Sequence, residues 1–287
     1  MGLLTNRERV LVTGAAGRIG TAVLALLAGR GIPATALDPR PCPPSSADRT
    51  VLGDARDPAV VDEALRDATA VIHLAAIPNP LDDPDEVIFG QNTQATFTVL
   101  NRAGRAGLRH AAIASSYAIS GLPFARVPLR MPYLPIDTGL PLQTTDPYAL
   151  SKRIDEVTAE MIHRRYGMSV VALRLPYVAD EHALARMAAR FAPAPERGAA
   201  DVWSYLDVWD AARALVAALR PARPGNHVLY VAAPETIATQ PTEWLLERFH
   251  PGVPRPRFEG HAVPIDLAPA RELLDFTAEH PFPVDRA

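Results

Sequence analysis

Tyr148 and Lys152 stand four residues apart in the stretch TTDPYALSKRIDE, residues 144–156. Lys152 is the only lysine in the chain; the other 28 of its 29 basic residues are arginine. Asp146 followed by Pro147 reads as a helix N-cap with proline in the first turn, so a helix is predicted from about 148 to 166. Residues i and i+4 then share one face. A phenol with a pKa of about 10 is a weak base at neutral pH. A neighbouring ammonium favours the phenolate, and such a pair can take the proton from a hydroxyl. Lysine suits this better than arginine because its ammonium is compact and has three freely directed donors. Tyr/Lys pairs at this spacing also arise by chance, so the weight rests on the one lysine sitting just inside a capped helix start. A second polar candidate is Ser116, at the end of the strand-like run AIASS, where its hydroxyl can hold a reacting oxygen beside the tyrosine. Ser115 is the alternative at the same place, and either can serve merely as a strand-end cap.

The elements that must position these groups alternate. Strands are predicted at 9–14, 33–38, 50–54, 70–76, 110–116, 169–175 and 227–233. Helices are predicted at about 17–29, 58–68, 87–106, 148–166, 207–220 and 241–249. This order implies an α/β protein of Rossmann type, a doubly wound parallel sheet with helices on both faces. The domain reading is a Rossmann domain over 1–175, also receiving the strand near 227–233, and a small discontinuous C-terminal lobe over 176–287 for substrate. Residues 191–200 read as a Pro/Ala/Gly-rich loop, and the proline-rich last forty residues as a surface wrap.

The first strand runs into VLVTGAAGRIG, with Gly14, Gly17 and Gly20 at the turn into the first helix. Glycines there allow close backbone approach, and the helix N-terminus offers free N–H groups to a pyrophosphate. Asp38 ends the next strand, 18 residues beyond Gly20, where a carboxylate accepts hydrogen bonds from both adenosine ribose hydroxyls and repels a 2′-phosphate. The cofactor implied is NAD rather than NADP. Arg40 stands against that reading if it meets a phosphate, and with it if it is a solvated loop residue. Asp54 in GDARD has two readings of equal weight, an adenine contact or a helix cap.

Composition narrows the class. With 287 residues, a net charge of −3 and 48% apolar residues, the chain has ample core and no electrostatic case for nucleic acid or an anionic membrane. No apolar run approaches the roughly 20 residues of a membrane span. The strand pattern begins too close to Met1 for a signal peptide, and the Met1-Gly2 start is not taken as a lipidation signal. Cys42 is alone, which excludes an internal disulfide and a cysteine metal cluster. The expectation is a cytoplasmic protein without metal.

Taken in order, TGAAGRIG, Asp38, GDARD, VIHLAA, NTQAT, ASSYAISG, YALSK, LRLPYV and YLDVWDAARA resemble the extended short-chain dehydrogenase/reductase family, the NAD-dependent epimerase/dehydratase group, over residues 9 to about 233. The resemblance implies Tyr148 as acid/base, Lys152 as its partner, Ser116 as ligand of the substrate oxygen and Asn92 as support of the proton relay. It implies NAD contacts from Gly14, Ala16, Gly17, Arg18, Ile19, Gly20, Asp38, Asp54, Ala55, Leu74, Ala75, Ala76, Tyr148, Lys152, Pro176 and Val178. Substrate contacts fall to Ile77, Ser116, Tyr117 and Arg186. A homodimer through a four-helix bundle, built from the helices around 92–105 and 148–166, is also implied.

Departures from the family pattern speak to substrate. Tyr117 and Ala118 stand where dehydratases of the family carry an Asp-Glu pair, which disfavours elimination of water. Only 28 residues, 175–202, separate Arg174 from Trp203, and Trp203 stands where nucleotide-sugar epimerases carry an arginine for the diphosphate. The shortened lobe resembles that of uronate dehydrogenases, in which Arg186 would hold a carboxylate; a solvated helix position is the alternative. The long segment 122–143 is expected to overhang the site, offering Arg126 or Arg130 to an anion or acting as an apolar lid. The function expected is NAD-linked hydride transfer at a hydroxyl or lactol carbon of a small sugar or sugar acid. The alternatives are a nucleotide-sugar 4-epimerase and, in another class, a non-catalytic NAD-sensing regulator.

Overall fold

The computed structural model describes residues 8–43 and 47–284; the Met1-Gly2 start lies outside them. Seven parallel strands form one sheet in the order β3-β2-β1-β4-β5-β6-β9. They are β1 (Arg9–Thr13), β2 (Ala34–Asp38), β3 (Arg49–Leu52), β4 (Ala68–His73), β5 (His110–Ser116), β6 (Ser169–Leu175) and β9 (Asn226–Tyr230). Every residue of β2 and β6 is buried, as expected of parallel strands covered on both faces. The order reverses between β1 and β4, so a crevice opens at their carboxyl ends, where doubly wound sheets bind ligands. A separate two-stranded pair, β7 (Val178–Ala179) and β8 (Leu206–Asp207), follows β6.

One face of the sheet carries α1 (Arg18–Gly29) packed on α6 (Val208–Ala218), with α8 (Ala268–Leu274) beside α6. The other carries α2 (Pro58–Ala64), α3 (Asp85–Arg105) and α4 (Pro147–Tyr166), with α3 and α4 in long mutual contact. Gly104 permits that contact: a Cβ there would lie 2.3 Å from the Tyr166 ring. A further apolar core gathers Met131, Ile136, Phe191, Trp203, Leu245 and Ile265, with α5 (Glu181–Phe191) and α7 (Thr242–Phe249) around it.

Several stretches differ from their sequence reading, among them α2, which stops at Ala64 rather than 68, and β9, which stops at Tyr230 rather than 233. β4 stops at His73, not 76: the Leu74 N–H still reaches the Thr13 carbonyl, but the Ala75 N–H turns to the Thr13 hydroxyl and leaves the ladder. Residues 191–200 are not a loop throughout; after α5 the chain makes a 3-10 turn over Pro195–Asp201. The proline-rich end does more than wrap the surface. It contains α8, buries Val263 and Ile265, and bonds the 122–143 segment through Leu134 N–H to the Pro254 carbonyl and Ile136 N–H to the Pro264 carbonyl. That segment is therefore built into the second core, with Leu134 and Ile136 buried, rather than hanging as a free lid. Among the described residues no helix is long and apolar enough to cross a membrane.

Candidate active site

The start of α4 is built as its sequence dictates. Asp146 Oδ1 accepts the Ala149 N–H at 2.8 Å and Pro147 opens the helix, which seats Tyr148 and Lys152 on its buried face. Lys152 Nζ donates to the Ala114 carbonyl at 3.0 Å and to Asp155 Oδ2 at 3.2 Å, and lies 5.9 Å from the centre of the Tyr148 ring. Burial alone would pull the ammonium's pKa down; Asp155, Tyr148 and Glu156 together outweigh it and hold the pKa above its ordinary value. The lysine is thus charged across the working pH range. The Phe124 ring meets that of Tyr148 edge-on, with centroids 6.2 Å apart, and walls one side of the phenol.

The two serines face different partners, as strand alternation dictates. Ser115 points to α4, where its hydroxyl donates to Glu156 Oε1 at 2.6 Å, and Glu156 is held by Arg174 of β6 through two bonds of 2.9 and 2.8 Å. Ser116, on the opposite side, caps the 3-10 turn Tyr117–Ser120 by accepting the Ala118 N–H at 3.1 Å, which leaves its own proton to donate. Ala118 in that turn belongs to the same small apolar cluster as Tyr148, so the turn ties Ser116 to the tyrosine. Asn92 is buried on α3 and fastens three pieces. Its Oδ1 accepts from Ile77 N–H, and its Nδ2 donates to the Ile77 carbonyl and to Ser151 Oγ on α4. Ile77 in turn packs on the Tyr148 cluster.

At the other end of the crevice Gly14 adopts φ +66°, and a Cβ there would lie 2.7 Å from the backbone of Leu74 and Ala75. A Cβ on Gly20 would lie 2.3 Å from the Gly14 carbonyl oxygen. Only glycines let β1, the turn and the end of β4 approach this closely. Gly17 is the N-cap of α1; among the described residues no side chain caps this end and no acid occupies its first turn, so the N–H groups of Arg18, Ile19 and Gly20 face an anion-ready space. Asp38 is buried, its Oδ2 accepting the Ala16 N–H at 3.0 Å and its Oδ1 accepting from Arg40. Arg40 is thereby tied to the carboxylate it was weighed against. Asp54 is turned onto Arg56, whose hydrogen bonds hold its carboxyl below the ordinary range, and the N-cap of α2 is Asp57 rather than Asp54. Ala55 is buried, Leu74, Ala75 and Pro176 are half-buried and Ala76 is exposed, all around the carboxyl ends of the strands. Arg18 reaches across to donate to the Val178 carbonyl at 2.6 Å. These groups fit a dinucleotide with its pyrophosphate on α1.

Between the two ends lies a buried polar chain that the sequence reading did not single out. Thr13 Oγ1 is 2.7 Å from His73 Nδ1, and His73 Nε2 is 3.0 Å from Thr96 Oγ1. Burial, with Lys152 nearby, drops the His73 pKa to about 3, so the ring is neutral. His73 was visible within VIHLAA as a polar residue in a buried strand, which is the signal for a satisfied network. Asp155 was visible three residues after Lys152, at a spacing that brings helix side chains together. Phe124 carried no local signal, because the turn that returns it to Tyr148 is tertiary.

Not every substrate candidate joins this group. Tyr117 is buried in the second core, its hydroxyl donating to the Ala200 carbonyl at 3.0 Å. Arg186 lies on the exposed side of α5, and Arg126 and Arg130 are exposed. Trp203, at φ +53°, is fully buried; its Nε1 donates to the Pro195 carbonyl and its ring meets Phe249 and His250.

A parallel sheet with a glycine-rich turn at its switch point, and a Tyr/Lys/Ser group at the adjoining strand ends, defines a dinucleotide-linked oxidoreductase. The family model for the NAD dependent epimerase/dehydratase family matches residues 10–232. The chain belongs to this family, and so is an NAD-dependent enzyme of the extended short-chain dehydrogenase/reductase type. It is 32% identical over 176 residues to a UDP-glucose 4-epimerase of Azospirillum brasilense, a match spanning 58% of this chain and 48% of that protein. It is 33% identical over 289 residues to a 3-diazoavenalumate denitrifying reductase of a Streptomyces species, spanning 95% of this chain and 89% of that one. In fold it is similar to a short-chain dehydrogenase/reductase superfamily protein of Agrobacterium tumefaciens solved with bound NAD, with a TM-score of 0.73, 23% identity and 96% and 94% of the two chains covered.

Proposed function

We propose that the enzyme oxidises a hydroxyl or lactol carbon of a small sugar or sugar acid that carries no nucleotide. The observation that carries this reading is Trp203. At the place the family resemblance gives to a diphosphate-binding arginine, the left-handed backbone of Val202 and Trp203 turns an indole into the second core. A diphosphate would there lose a cationic partner. In the reaction, Lys152 stabilises Tyr148 as the phenolate, which accepts the hydroxyl proton and becomes the phenol, and Ser116 donates a hydrogen bond to the reacting oxygen. NAD, when bound, accepts the hydride. Asn92 holds the segment around Ile77 against α4 and so keeps the tyrosine in place.

The substrate lobe in this proposal is assembled from residues 122–143, 179–205 and 232–265. The enzyme works as a homodimer in the cytoplasm. Support for the dimer is the exposure of three large apolar side chains on the two helices concerned, Leu150 and Val157 on α4 and Phe97 on α3.

The test is a screen for NADH formation over free sugars, sugar acids and polyols, run beside an assay for nucleotide-sugar epimerisation. NADH is expected with a free substrate; interconversion of nucleotide sugars without net NADH would overturn the proposal. A second reading is favoured by the extent of one match: likeness to the reductase spans nearly the whole chain, whereas likeness to the epimerase spans about half. On that reading the hydride runs towards a non-sugar acceptor such as 3-diazoavenalumate, and NADH consumption with that compound is its test.

A further inference from the structure

Two carboxylates lie close to Lys152, and they are not equivalent. Glu156 is claimed by Arg174, which binds both its oxygens, and by the Ser115 hydroxyl. Asp155 is 1% exposed, and its one ion-pair partner among the described residues is the Lys152 ammonium, 3.2 Å away. Its other oxygen, Oδ1, makes no geometrically sound hydrogen bond among them, though the Thr96 hydroxyl of α3 bears on the carboxylate. Burial raises the Asp155 pKa above its ordinary value, against the opposing pull of Lys152 and Thr96, so the ammonium is the one charge that holds it ionised.

The remaining groups around the pair leave the charge balance to Asp155. From β4 comes His73, neutral because its pKa is about 3. From β5 come the Ala114 carbonyl, which takes a second ammonium proton, and the uncharged Ser115. From β6 comes Arg174, its charge matched by Glu156. Facing α4, α3 presents uncharged Asn92 and Thr96. Among the described residues, the only other titratable group against the ammonium is Tyr148 itself.

From this juxtaposition we infer that Asp155 is a positioning residue that fixes Lys152 between β5 and α4 and offsets part of its charge, thereby setting the pH at which Tyr148 becomes a proton acceptor. With Asp155 ionised, the phenolate feels a reduced positive field; with a neutral side chain there, it feels the whole ammonium. The lysine's own charge is secure in both cases, since it sits above its ordinary pKa with Asp155 as one of several contributors. Asp155 therefore trades basicity of the site against a fixed lysine.

The inference rests on the proposed proton transfer by Tyr148, and its test keeps the two apart. The tyrosinate ultraviolet absorbance of the NAD-loaded protein is titrated, and the curve of Tyr148→Phe is subtracted to isolate one phenol. In Asp155→Asn the midpoint of that step is expected to fall by about one pH unit, the lower end of what one adjacent charge does. Asp155→Ser, smaller than the native residue, should give the same fall if the amide is not accommodated, and Asp155→Glu should return the midpoint towards the wild-type value. The kcat profile against pH should move with the absorbance. An unchanged midpoint in folded Asn and Ser variants would overturn the role of Asp155 while leaving Tyr148 intact. A wild-type difference curve with no Tyr148 step would overturn the Tyr148 reading and this one with it.

Discussion

Lys152 Nζ is bonded to the carbonyl of Ala114 at 3.0 Å, so the lysine of α4 is pinned to the strand that delivers Ser116 two residues later. One hydrogen bond thus sets the spacing between helix and strand at the reacting centre. A guanidinium is planar and larger, and in this buried space it cannot occupy the ammonium's place without displacing Ala114 or Asp155. Lys152→Arg is expected to fold, with circular dichroism like the wild type, and to lose about 100-fold or more in kcat, the range of acid–base catalysis. Near-normal turnover would remove the lysine from the chemistry.

The two adjacent serines should separate cleanly. Ser116→Ala removes the hydroxyl available to the reacting oxygen and is expected to lower kcat by about 100-fold with little change in melting temperature. Ser115→Ala leaves Glu156 short of a buried donor and is expected to cost about 1–3 kcal/mol of stability, read by urea unfolding, with turnover kept. The reverse pattern would reassign the site.

Gly20 tests the cofactor end. Its missing Cβ would lie 2.3 Å from the Gly14 carbonyl and 2.8 Å from Ala15, all backbone atoms with no means of yielding. Gly20→Ala should therefore cost about 1–3 kcal/mol by overpacking and weaken NAD binding measured by fluorescence titration. Gly31, whose Cβ would meet nothing within 4 Å but whose φ is +64°, should on alanine substitution lose only the smaller backbone penalty and leave NAD affinity unchanged.

Acid should loosen the tail. Asp210 of α6 is fully buried and accepts from Arg213, from the N–H groups of Glu279 and His280, and from the His280 ring. Burial works to raise its pKa, but His280, the two N–H donors and Arg213 win and hold it below the ordinary value. A carboxyl depressed in the folded state adds stability above its unfolded pKa of about 3.9, and that stability is lost as pH falls through the folded value. Asp210→Asn should thus be less stable than wild type at neutral pH by about 2–3 kcal/mol in urea unfolding, with the gap closing below about pH 4. A gap that stayed constant with pH would show the carboxylate to be uninvolved.

The elements themselves were legible because each carries its own signal. Buried runs such as ATALD and SVVALRL read as interior parallel strands, and Asp146-Pro147 ahead of an amphipathic run reads as a helix start. The helix α8 was missed because APARELL is short and flanked by prolines, and its stability comes from the core beneath it, which buries Ala270, Leu273 and Leu274.

By itself the sequence determined the local placements: Tyr148 and Lys152 on one helix face, a glycine turn at a strand end, and an acid at the end of the next strand. All of these depend on spacing within one element, where helix and strand periods fix which side chains meet. Only the tertiary structure turned Ser115 onto Glu156 and set Ser116 as the cap of the 3-10 turn, turned Asp54 onto Arg56, brought Phe124 against Tyr148, and paired Asp155 with the lysine. Each of those choices depends on which partner arrives from a distant element, and pairing across a sheet or between layers is set by burial and charge matching that no local stretch encodes.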